Sequence, residues 1–196
     1  MKHAVDDLHR IGFKLFVKDG ARIQPRELVP IFHGWIQTGA IDQLVIDVAD
    51  YAHLHEGPGV VLVAHEGNFA LDCGRGRLGL QYYRKQPAEG PLPARFTAVC
   101  RILVKAAMLL EGDPALTGRI RFRGEELELV ANDRFLAPSS EEAFDAMRVA
   151  LRPLLARLYP ATSWAITRSP DSRERLTLTI SAARPTTLAA LADRLT

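Results

Sequence analysis

At 196 residues, with 47% hydrophobic and 24% charged side chains, the chain has the composition of a globular protein long enough for one well-cored domain, and not that of a disordered one. Its formal charge of +2 is spread along the sequence, which removes any electrostatic reason to expect nucleic acid or a membrane surface as partner. The opening MKHAVDDLHRIG carries two aspartates and no apolar segment, so it does not read as a signal peptide, and no stretch reads as a bilayer span.

Residues 11–18, IGFKLFVK, alternate as a strand does, and Asp19-Gly20 closes it with a turn signal. In PRELVPIFHGWIQTG, Leu28, Ile31, Phe32, Trp35 and Ile36 recur three and four apart, which predicts a helix with Pro30 in its first turn and Gly39 as its stop. LVIDVADY, 44–51, fits a strand with Leu44, Ile46 and Val48 on one face, and also a helix using Ile41, Leu44, Val45 and Val48; its β-branched content favours the strand. VVLVAH and FALD, joined by Glu66-Gly67-Asn68, predict a hairpin, followed by a strand in LGLQYYRK. The proline-rich QPAEGPLP is a place for a subdomain boundary, near 86–93, within what otherwise reads as a single domain, 1–196.

A helix is predicted over 93–111, with Phe96, Cys100, Leu103, Ala107 and Leu110 on one side and Gly112 ending it. RIRFRGEELELV reads as a hairpin turning at Gly124-Glu125, pairing Arg123 with Glu126 and Arg121 with Glu128. Ser139 with Glu142 forms a capping box for a helix whose Phe144, Met147, Leu151, Leu154 and Leu158 face the core and which Pro153 should kink. SWAIT and RLTLTIS make a further hairpin across Ser169-Pro170-Asp171-Ser172, and Pro185 begins a last helix carrying Leu188, Leu191 and Leu195. Consecutive hairpins separated by helices predict an α+β fold: a largely antiparallel sheet with about four helices packed on one face.

The density of potential ligands singles out one region. Asp47, Asp50, His53, His55, Glu56, His65, Glu66 and Asp72 lie within 26 residues. In an extended chain His53 and His55 point to the same side, about 7 Å apart, which suits two imidazoles converging on one metal ion or one substrate. With Asp47, Asp50 or Glu66 as carboxylate partner, the set is the two-histidine, one-carboxylate arrangement of open zinc or non-haem iron sites. His53-x-His55 resembles the opening of the cupin metal motif, although the glutamate that follows at the usual offset is missing here, so no mechanism is carried over. The competing explanation is solvation: His-Glu-Gly occurs at 55–57 and again at 65–67, both times beside turn sequences, where polar residues collect without any ligand.

Other motifs carry less. GRGRLG, 74–79, is literally G-x-G-x-x-G, but the residues after it read as a strand, and a dinucleotide fingerprint needs a helix there. Cys100 falls on an apolar helix stripe, and Cys73, beside an arginine-rich turn, is the more reactive thiol; without an export signal both are expected free in a reducing cytoplasm. Two functions follow. One is a small cytoplasmic enzyme or a small-molecule or divalent-metal (zinc or iron) binding protein, with its site at 47–66. The other is a non-catalytic homo-oligomeric module, in which the aliphatic hairpin with Tyr82 and Tyr83 forms the subunit contact. Neither involves nucleic acid or a membrane. The first requires at least three of the named polar groups to share one concave site; the second leaves them dispersed.

Overall fold

The computed structural model describes residues 4–19, 21, 23–54, 57–169, 171 and 173–196, with Arg75 described by its backbone alone. The described residues form eight strands: β1 (Ile11–Val17), β2 (Val45–Asp50), β3 (Val60–Ala64), β4 (Gly67–Asp72), β5 (Gly79–Arg84), β6 (Phe122–Ala131), β7 (Trp164–Arg168) and β8 (Thr177–Ala182). They make one antiparallel sheet in the order β2-β3-β4-β5-β1-β6-β8-β7. Among the described residues four α-helices accompany them: α1 (Leu28–Thr38), α2 (Leu92–Gly112), α3 (Glu141–Leu158) and α4 (Leu188–Leu195). The α+β class with a largely antiparallel sheet is therefore the one the hairpin pattern predicts.

Strand alternation sorts the side chains into two faces. Phe13 and Leu15 of β1, Phe69 and Leu71 of β4, Leu80 and Tyr82 of β5, and Leu127 and Leu129 of β6 are all fully buried in one core with the apolar stripes of the helices. Helix α2 lies over the middle of the sheet, where Phe96 meets Phe13 edge-on with ring centroids 6.1 Å apart. Its predicted stripe, Phe96, Cys100, Leu103, Ala107 and Leu110, is wholly buried. The intervening strand residues, Gly12, Lys14 and Phe16 on β1 with Gln81 and Tyr83 on β5, face away from the helices.

Three local expectations change. The segment 119–130 is no hairpin: β6 is one ten-residue strand that pairs with β1 on one side and β8 on the other. Gly124 stays extended within it, and its lack of a side chain serves packing, because a Cβ there would lie 2.1 Å from the Thr186 carbonyl oxygen. Tyr159 completes that contact by donating its hydroxyl to the Gly124 carbonyl at 2.8 Å. Arg123 accordingly pairs with Asp19 at 2.6 Å, and Glu126 with Arg77. The N-cap of α3 is Ser140, whose hydroxyl accepts the Ala143 N–H, one residue later than the predicted Ser139. Helix α4 is likewise capped by Thr187 and starts at Leu188, so Pro185 lies in the approach to it.

The ambiguity at 44–51 resolves as strand. β2 pairs with β3, with an irregularity in register between Val45 and Asp47 that turns Ile46 out to 60% exposure.

Candidate functional site

The residues proposed from sequence are held on and around the β2–β3 pair, but at opposite ends of it. Asp50 lies across from Val60, whereas at the other end the Leu44 carbonyl accepts the His65 N–H at 2.8 Å. Asp50 and His53 are thus separated from Glu66 by the length of β3, about 15 Å for its five residues. Asp47 is exposed, and its carboxylate accepts the N–H of its neighbour Val48 at 2.7 Å. Asp50 accepts the Ala52 N–H at 2.8 Å and lies 3.2 Å from the Arg26 guanidinium. His53 is exposed. His55 and Glu56 fall outside the described residues. Among the described residues, no group of three or more His, Cys, Asp and Glu side chains is placed to hold a metal ion.

Glu66 has a different setting. One of its carboxylate oxygens, Oε2, is buried without a hydrogen-bond partner, as is Gln43 Oε1. Both residues attend the buried phenol of Tyr82, to which Gln43 Nε2 donates at 2.8 Å. Burial pushes the Tyr82 hydroxyl above its ordinary range, against the opposing effect of the Gln43 hydrogen bond, with the Glu66 charge pushing the same way as burial. Gly67 makes this approach feasible, since a Cβ at that position would stand 2.6 Å from the Tyr82 hydroxyl. Tyr82 is fully buried and Tyr83 lies flat across Gly12, so neither is the exposed aromatic that the sequence suggested.

The polar centre that sequence reading missed is on the helix-free face. Among the described residues, three of the four buried polar or charged side chains, Lys14, Gln81 and Thr177, lie there, beside the buried apolar residues Phe16, Val61, Ala70 and Val130. Lys14 is 1% exposed, with its ammonium 2.7 Å from Asp72 Oδ2. Its stem runs over Gly79, where a Cβ would meet Lys14 Cε at 2.6 Å. Beside it, the Arg77 guanidinium stacks on Phe16 at 3.6 Å and forms a two-pronged pair with Glu126, both contacts 2.7 Å. Phe16, Lys18, Asp19, Arg77 and Arg123 line a groove of about 250 Å³ at this edge.

The electrostatics of this centre favour holding over reacting. Desolvation, reinforced by the Asp72 charge, raises the Cys73 thiol above its ordinary value despite the nearby Lys14 ammonium. Burial likewise raises the Tyr83 phenol. Neither group is poised as a nucleophile or base near neutrality, because each shift moves it further from that range. Cys100 is buried and its thiol is pushed up to about 12 by desolvation, consistent with packing.

Apolar groups are displayed elsewhere. Phe135 is 92% exposed, and Leu44, just before the edge strand β2, and Ile46 within it are 66% and 60% exposed. The Phe135 loop is nonetheless fixed: Asp133 Oδ1 accepts the N–H groups of Phe135 and Leu136 at 3.0 and 3.1 Å, and the Asp133 carbonyl accepts the Ala137 N–H at 2.9 Å. A solvent-open apolar groove of about 430 Å³ lies between the end of α1 and the last turns of α2, lined by Ala40, Lys105, Met108, Leu109 and Gly112. Among the described residues no helix is long and apolar enough to cross a membrane. No protein-family model matches the chain, and no curated protein matches it.

Proposed function

We propose that the protein is a non-catalytic, self-associating assembly module of the cytoplasm. The observation that carries this reading is Phe135, a large apolar side chain held almost wholly in solvent by a hydrogen-bonded turn. A mobile loop would fold such a side chain back against the body; a fixed one is preorganised as an anchor, and rigid aromatic anchors dominate the energetics of protein contacts. The dispersal of Asp47, Asp50, His53 and Glu66 supports the same reading, since an acid–base or metal centre requires convergence. The two free thiols fit a reducing compartment.

A second reading, a small-molecule site at Glu66, is favoured by the unpartnered oxygens of Glu66 and Gln43 beside Tyr82, which would accept N–H donors from a ligand. One pair of measurements tests the assembly reading against a metal site at His53 and His55. Protein purified without chelating resin is weighed by light scattering from micromolar to millimolar concentration and analysed for bound metal. Mass that rises with concentration and no stoichiometric metal is the expected result. A constant monomer mass with zinc or iron that disappears in His53→Ala/His55→Ala would overturn the assembly reading.

A further inference from the structure

Resting on that reading, we infer that the contact is head-to-tail between copies of this chain, with Phe135 of one copy seated in the α1–α2 groove of the next. The knob and the groove are at opposite ends of the molecule. Phe135 follows the last residue of β6 by four positions, whereas the groove's end is tied to the first residue of β6: the Glu111 carboxylate, next to Gly112, accepts the Phe122 N–H at 2.7 Å. The ten residues of β6 put these ends about 30 Å apart. A knob cannot reach a groove that far away on its own body, but it faces that of a neighbour stacked along the same direction.

The two surfaces match in chemistry. The groove offers Met108 at 39% and Leu109 at 36% exposure, a flexible thioether and an aliphatic side chain that adapt to an aromatic ring. Its volume of about 430 Å³ has room for a benzyl group. Charges complement at the rim: the Lys105 ammonium lines the groove, and the Asp133 carboxylate stands at the base of the knob, where it accepts the Phe135 N–H. Such a contact uses different patches on the two partners, so each copy keeps one unused knob and one unused groove, and association continues beyond the dimer unless a ring closes.

The test uses the full chain and two variants. Phe135→Ser removes the knob and leaves the groove; Leu109→Lys spoils the groove and leaves the knob. Both positions are surface residues, and circular dichroism with thermal melting confirms that each variant is folded. Wild type is expected to show a weight-average mass climbing past the dimer with concentration, and each variant to associate at least tenfold more weakly, the loss of one anchoring side chain. Mixed in equal amounts, the variants should recover dimers and stop there, because a pair then contains a single intact knob facing a single intact groove. Wild type that remains monomeric throughout would sink both this contact and the assembly reading. Wild type that associates while the variants behave identically to it would overturn the contact alone, as would a mixture that fails to regain dimers.

Discussion

Lys14 shows how a single residue reveals the character of a surface. Every residue of β1 is buried, so a lysine in its middle is tolerated only because Asp72 stands 2.7 Å from the ammonium and the stem has Gly79 to lie across. Removing the carboxylate leaves an uncompensated charge. Asp72→Ala should lower stability by about 2–3 kcal/mol, less than the roughly 3–5 of a fully buried pair because Asp72 retains some solvent. Urea denaturation reads the loss, and Lys14→Met/Asp72→Leu should recover most of it, since the paired apolar replacement removes both charges. The clue was in the sequence, a lysine inside the otherwise apolar GFKLF, and it went unread because solvent-facing lysines in alternating strands are commonplace. The histidines drew the reading to a different place. His53 is one of several polar residues that gather where the chain turns, and proximity in sequence said nothing about which end of β3 each would occupy.

At the scale of elements, β2 illustrates how an edge strand is kept from adding further strands. Its pairing partner lies on one side only, and the other side is open. The Asp47 carboxylate takes up the Val48 N–H, and Asp50 does the same for Ala52 just past the strand, so these donors are satisfied within the chain. This gives both aspartates a role that needs no ligand. Asp47→Ala should free the Val48 donor beside the exposed Ile46 and raise the tendency of heated protein to form thioflavin-binding aggregates, with little change in melting temperature. Unchanged aggregation would remove this protective role. The helices and hairpins were legible because caps, turns and apolar periodicity are local signals. β6 was not, because Gly124-Glu125 has the composition of a turn, while the reason for the glycine lies in the Thr186 backbone some sixty residues further on.

At the scale of the whole molecule, the core sets the response to alkali. Cys100 ordinarily loses its proton near 9.0, but burial holds that proton until about 12, and burial raises the Tyr159 phenol as well. As pH climbs above 9.0 the unfolded chain releases the Cys100 proton that the folded chain keeps, so unfolding gains free energy. Stability should therefore be unaffected by this group below pH 9.0 and fall steadily as pH rises toward 12. Guanidinium unfolding at stepped alkaline pH measures the slope, and Cys100→Ala should flatten it. A wild-type slope no steeper than that of the variant would show that the thiol is not the cause.

The strand order has a consequence in time. β1 is the first strand made, yet its neighbours are β5, about sixty residues later, and β6, over a hundred later. At roughly 5–20 residues per second of synthesis, its apolar side chains leave the ribosome several seconds before either flanking strand exists. The β2–β5 meander can meanwhile form from neighbouring segments, but it waits with an open edge at β5 for a strand already behind it in the chain. A nascent chain arrested after β5 would expose whether β1 docks at once or only when β6 can close the other side. The central strand makes this fold dependent on its slowest encounter, and places its window of vulnerability during synthesis, before the native sheet exists.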